Sequence, residues 1–169
     1  AIVSGKVYDY TEKDKLQFVG YSYKDKKLLI YKILGSNEID RGQFQDETEL
    51  DMLDDIFWIF PKRLIEKIGY YSNYFWFNGE AQDFALRAKE AEFKLIYNPN
   101  AMIWHKGSVS IGGRDYNPIR AYWDLQSQLI LRKLHLSPKH FRQYYIMQVI
   151  GLIKIYIKSL KPFTQHIII

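Results

Sequence analysis

The chain has 169 residues, a net charge of +5, 47% hydrophobic, 17% aromatic and 25% charged residues, and no cysteine. That is enough chain to bury a core and build one domain or a large part of one; the composition excludes disorder, and the missing thiols exclude a disulfide scaffold and a thiolate metal site. The charge is uneven: from Leu125 onward there are seven Lys or Arg and no Asp or Glu, whereas 17 basic and all 19 acidic residues precede it.

The first residue is Ala, and AIVSGKVYDY starts inside an apolar stretch, so the sequence reads as a piece of a longer chain. Ala1 to Tyr10 is expected to be a strand ending in a turn at TEKDK. Leu16–Tyr23 and Lys27–Leu34 read as a hairpin around the polar KDKK tip. GSNEIDRGQFQDETE reads as a surface loop punctuated by Gly35 and Gly42. Leu50 to Phe60 is apolar enough for a buried strand, although Asp54 and Asp55 interrupt it. Pro61 then opens a short helix, PKRLIEKI, with Gly69 just past its end.

A second helix is expected from about Glu80 to Ala91, capped by Asn78, with Phe84, Ala85, Ala88 and Ala91 as its apolar stripe. FKLIY and AMIWH read as two strands split by an NPN turn. Asn117–Pro118 starts a long helix reaching about Leu134, and Ser137–Pro138 starts a last one that Pro162 stops near Lys161. Strands first, then mixed helix and strand, then two helices: the expected class is α/β with a mixed sheet and flanking helices.

The order of short motifs resembles a known family. LIEKIGYYSNYFWFNGEAQDFALRAKEAEFKLIYNPNAMIWHKGSVSIGG carries a helix ending IG, an aromatic loop, an E-x-x-D-x-x-x-R helix, an N-P-x-A turn, W-H-K and S-x-S-x-G-G. VSGKVYDYTEKDKLQFVG and EIDRGQFQDETELDML fit the same pattern. Together they resemble the inverting family-two glycosyltransferases, especially rhamnosyltransferase-like members, over most of residues 1–135. The resemblance implies the C-terminal, acceptor-side half of a GT-A type fold, with the sugar-nucleotide half and its metal-binding D-x-D upstream. It implies a nucleotide-sugar donor, a polysaccharide or lipid-linked acceptor, and a divalent metal (Mg or Mn) whose main ligands lie outside this chain.

An inverting transfer needs a base for the acceptor hydroxyl and positive charge for the departing diphosphate. The resemblance aligns Glu80 with the Glu of the family's Glu-Asp pair and Ala81 with its Asp, the usual base. Since a methyl group cannot accept a proton, Glu80 and Asp83 are the remaining candidates. Both have plainer readings: Glu80 complements the helix dipole, and Asp83 pairs with Arg87 at i, i+4. His105, in Trp104-His105-Lys106, stands where the family places a His at the metal or diphosphate; a strand-end His is also commonly a structural residue. His105 is thus the candidate metal ligand, and His105 with Lys106 the candidate cofactor-binding pair.

Asp54 and Asp55 stand where the family has a small residue and Gly beside the acceptor, Gln126–Ser127 where it has Arg-Asn, and Ala91–Glu92 where it has Ala-Gly. Trp76, with Tyr74, reads either as a stacking platform for an acceptor sugar or as a loop packing on the sheet. Substitution at the base, the acceptor loop and the Arg-Asn pair leaves a second class open, a non-catalytic relative that keeps the fold to bind glycan or a partner. His135, His140 and His166 have no ligand-like spacing and are assigned no role.

Residues 136–169 are read as a basic amphipathic helix and tail. FRQYYIMQVIGLIKIYIKSL is nearly all apolar, with Lys154, Lys158 and Lys161 along one face. This suits either an anionic membrane surface or packing against the rest of a larger fold. The charges lie among aliphatic residues with no recognised nucleic-acid motif, so no nucleic-acid partner is expected. The expected location is the cytoplasm, at the inner face of the cell membrane.

Overall fold

The computed structural model describes residues 1–107 and 118–164, with side chains as far as Ser159. The motif S-x-S-x-G-G, the expected cap Asn117, and His166 lie outside them.

The chain is mixed α/β. Strand β1 (Ile2–Asp9) lies in a four-stranded sheet of order β2-β1-β6-β5, with β2 (Leu16–Phe18), β5 (Thr48–Glu49) and β6 (Leu95–His105). β1 and β6 run parallel, and the two-residue and three-residue edge strands are antiparallel to their neighbours. Such short edges offer little template for pairing with another chain. A separate hairpin is formed by β3 (Gly20–Asp25) and β4 (Ile30–Leu34).

Helices α1 (Lys62–Ile68), α2 (Glu80–Glu90), α3 (Pro118–His135) and α4 (Pro138–Thr164) complete the fold. The core gathers Ile2, Met52, Leu53, Leu64, Phe84, Ala85, Ala88, Leu95 and Leu131. Three residues of the expected α2 stripe, Phe84, Ala85 and Ala88, are in it; Ala91 is only half-buried. Phe84 is ringed by Trp58, Phe60 and Tyr71 at centroid distances of 5.7, 5.3 and 5.1 Å, so aromatic packing fixes α2 from one side.

Several expectations are corrected. The stretch expected as one strand from Leu16 to Tyr23 breaks at Gly20, whose φ of 150° favours glycine and whose Cβ, if present, would stand 2.4 Å from Leu50 Cδ1. β2 therefore stays in the main sheet while β3 leaves for the hairpin. The KDKK tip is a 3-10 turn, Lys26–Leu28, capped by the Asp25 carboxylate.

Leu50–Phe60 is not a strand. Met52 and Leu53 are buried, but only isolated bridges, Tyr21 to Met52 and Val3 to Ile59, tie it to the sheet. Asp54 Oδ1 accepts from the Ile56 N–H at 3.3 Å, a local turn that competes with ladder formation. The two strands expected around NPN are one strand instead. Pairing steps from Ser4–Tyr97 to Lys6–Met102, two residues along β1 against five along β6, so Asn98-Pro99-Asn100 bulges and the ladder resumes. At that step Gly5 meets β6 so closely that a Cβ would fall 2.0 Å from Ala101 O.

Three helix ends also differ. Pro61 takes the cap position of α1 rather than its first turn. Gly79, at φ 91°, caps α2 in place of Asn78, whose amide donates instead to the Asp124 carboxylate. α4 runs through Pro162 to Thr164, although that proline has no N–H to donate to the carbonyl four residues back. The expected boundary at residue 135 falls on the two-residue link between α3 and α4.

Two buried cations hold the layers. Lys6 Nζ donates to Asp40 Oδ2 at 2.7 Å, with the side chains 4% and 11% exposed. Arg132 donates to the carbonyls of Leu28 (3.2 Å) and Leu29 (2.7 Å) and sits 4.2 Å from the Tyr144 ring, joining the 3-10 turn, α3 and α4.

Glu92, where the resembled family has Gly, keeps the left-handed conformation at φ 66°. A Glu92→Gly variant relieves that strain and is expected to gain up to about 1 kcal/mol of stability in chemical denaturation. A loss would mean that the freedom glycine gives the unfolded chain outweighs the strain.

Candidate active site at the N-terminus of α2

The two acids of α2 face different surroundings. Asp83 is 2% exposed. Its Oδ2 accepts from Arg87 Nε at 2.8 Å and its Oδ1 lies 2.8 Å from His135 Nε2, while Arg87 also donates to the carbonyls of Ile68 (2.6 Å) and Tyr70 (2.9 Å). Burial alone would raise the Asp83 carboxyl; the bonds from His135 and Arg87 outweigh it and hold the group below its ordinary range. Burial likewise works to lower His135, but its bonds to Asp83 and Glu90 raise it. Both oxygens of Asp83 are thus committed to a clasp joining α2, α3 and the end of α1.

This clasp predicts a pH window. The Asp83 contribution is present above its unfolded value of 3.8 and is lost as pH falls through the lower folded one. The His135 contribution is full below 6.5 and is lost as pH rises through the raised folded value. Wild-type Tm is therefore expected to decline from mildly acidic to alkaline pH, and a His135→Gln variant to lose that slope.

Glu80, at the first turn of α2, faces the loop that carries Asp54 and Asp55. Tyr21 Oη donates to Asp54 Oδ2 at 3.1 Å, and Tyr71 Oη donates to Asp55 Oδ2 at 3.1 Å. Glu80 Oε2 is buried and has no hydrogen-bond partner among the described residues. Burial raises the Glu80 carboxyl, its backbone N–H opposes, and the charges of Asp55 and Asp54 raise it further. Asp54 is raised by burial and by Asp55, against Tyr21, the Ile56 N–H and a field from His105. Asp54 thus feels both Asp55 and His105, and Glu80 feels Asp55 and Asp54, whereas Asp83 is bonded to Arg87 and His135.

His105 ends β6 opposite Asp9 of β1. Gln17 brackets it: Nε2 donates to the His105 carbonyl at 2.7 Å, and Oε1 lies 3.0 Å from Nδ1. An amide oxygen on Nδ1 favours the tautomer that leaves Nε2 as the acceptor. Lys106 is exposed, with its ammonium 4.3 Å above the Tyr10 ring. No group of three or more His, Asp or Glu that could hold a metal ion stands among the described residues.

Trp76 is 72% exposed and packs against Trp123 of α3 at 4.6 Å and 31°, with Tyr122 edge-on to Trp123 at 5.1 Å. Ser127, one of the two replacements for Arg-Asn, is buried and donates to the Phe77 carbonyl at 2.7 Å, pinning the aromatic loop to α3. Gln126 Oε1 is buried with no partner among the described residues.

Sequence reasoning missed Tyr21, Tyr71, Gln17, Trp123 and His135. Gln17 and Tyr71 lie inside stretches that carry the resemblance and Tyr21 just beyond one, but nothing local marks any of the three as a site residue. For His135, spacing along the chain gives no sign that it would meet Asp83, 52 residues away. No protein-family model matches the chain, and no curated protein matches it.

Proposed function

We propose that this chain is the acceptor-side half of a GT-A type, inverting glycosyltransferase, with Glu80 as the base. The observation that supports this most directly is Glu80 itself. It is a buried carboxylate oxygen with no described partner, beside Asp54 and Asp55, at the helix position where the resembled family carries its acid pair. Burial and the neighbouring acids give Glu80 more basicity than a surface glutamate, which is what proton abstraction from an alcohol requires.

In the proposed reaction the acceptor hydroxyl oxygen attacks the anomeric carbon of a nucleotide sugar. Its proton passes to Glu80, and the bond to the nucleoside diphosphate breaks with the electron pair leaving on the diphosphate. Asp54 and Asp55, held by Tyr21 and Tyr71, orient acceptor hydroxyls. Trp76, backed by Trp123, offers an aromatic face to the C–H face of an acceptor pyranose. Lys106 supplies positive charge for the diphosphate with His105 beside it, and a divalent metal takes its main ligands elsewhere. The acceptor class is a polysaccharide or lipid-linked glycan, and the compartment is the cytoplasm.

One observation favours a second reading, a glycan-binding protein without turnover: Ala81 occupies the position of the family's usual base while the aromatic face at Trp76 is retained. The test is sugar transfer and nucleotide-sugar hydrolysis by the full-length protein, with Mn²⁺ and with a chelator. Turnover supports the enzyme. Absence of turnover with every donor, together with glycan binding that a Trp76→Ala variant loses, supports the second reading.

A further inference from the structure

From Tyr145 to Ile157, α4 exposes Tyr145, Ile146, Val149, Ile150, Leu152, Ile153, Tyr156 and Ile157, with no described residue covering them. Spacing of three and four residues gathers these eight on one broad side of the helix, wider than the narrow seam of a two-stranded coiled coil, while Met147 and Ile155, also exposed, lie off it. Lys154 and Lys158, both exposed, sit one turn apart on another side. The side chain of Lys161 is outside those described. Residues 138–169 contain five Lys or Arg and no acid. No helix among the described residues is long and apolar enough to cross a membrane.

We propose that α4 docks the protein onto an anionic lipid surface, lying in the interface with its apolar side among the acyl chains and Lys154 and Lys158 at the phosphates. Its 27 residues give a rod about 40 Å long. Among the described residues only the first part is held by the fold, where Tyr144 meets Arg132, and the rest presents an apolar surface that none of them covers. The same helix of a second copy is a poor occupant: it would bring the same cations and no acid to offset them. An anionic bilayer answers both features at once, taking up aliphatic side chains, seating Tyr145 and Tyr156 at the headgroup level, and neutralising the lysines. The proposal stands whether or not the chain transfers sugar.

The test is co-sedimentation of the full-length protein with vesicles of phosphatidylcholine, with and without phosphatidylglycerol. Binding is expected only with the anionic lipid, weakening as salt rises. Lys154→Gln with Lys158→Gln is expected to reduce it about 30-fold, from about 1 kcal/mol for each lysine at the surface. Ile153→Ser with Ile157→Ser is expected to abolish it while leaving Tm unchanged, since both residues are exposed. These 169 residues contain no cysteine, so with any cysteine elsewhere in the protein replaced by serine a spin label on Ile153→Cys reports the immersed side, and its collisions with oxygen should rise on vesicle binding. Equal binding to neutral vesicles, no loss in the lysine variant, or a label that stays in water would each overturn the proposal. So would concentration-dependent self-association that buries the label in the absence of lipid.

Discussion

On the proposed reaction, a Glu80→Gln variant of the full-length protein is expected to lose about 10²- to 10⁴-fold in sugar transfer, the range a positioned general base contributes. The amide has the shape of the carboxylate but accepts no proton, so KM for the acceptor changes little and the loss is in kcat. Wild-type turnover falls with acid as Glu80 becomes protonated, and because its carboxyl is raised, that fall begins at a higher pH than for an exposed glutamate. Asp83→Asn is the contrasting arm. It weakens the clasp with Arg87 and His135 and lowers Tm, yet leaves kcat of the folded protein within a few-fold. If Glu80→Gln turned over at the wild-type rate while Asp83→Asn did not, the roles given to the two acids would be reversed.

The second large effect is on stability. Asp40→Ala leaves the Lys6 ammonium in the sheet without its partner and is expected to cost about 3–5 kcal/mol in denaturant unfolding. Burial works to raise the Asp40 carboxyl, but bonds from Lys6, Tyr8 and the Gly42 N–H hold it low, so the folded state prefers the ion pair to two neutral groups. Replacing both partners by apolar residues, Lys6→Met with Asp40→Leu, is expected to restore most of the loss, since no charge is then buried. A single variant that costs under about 1 kcal/mol would place the pair among solvated surface bridges, contrary to its burial.

Local pattern carried much of the architecture. Helical spacing marks α2, and apolar composition marks β1 and the two ends of β6; Gly69 closes α1 as its position demands; the Pro118 and Pro138 starts open the last two helices. These features depend on neighbours three or four residues away, which the linear sequence contains. Where a segment's state depends on distant partners, local reading failed. Leu50–Phe60 has strand composition, but Asp54 and Asp55 turn it outward to Tyr21 and Tyr71. NPN has turn composition, but the parallel ladder with β1 carries one strand across it.

The site divides in the same way. Residue types and motif order point to Glu80, Asp83, His105, Asp54, Asp55 and Trp76. Only the tertiary structure separates Glu80 from Asp83, because three residues along a helix turn side chains by about 300°, close enough to share a face yet far enough to meet different neighbours. His135, brought to Asp83 by the packing of α3 on α2, ties one acid into the scaffold, and Glu80 is left facing the carboxylates of the 54–55 loop.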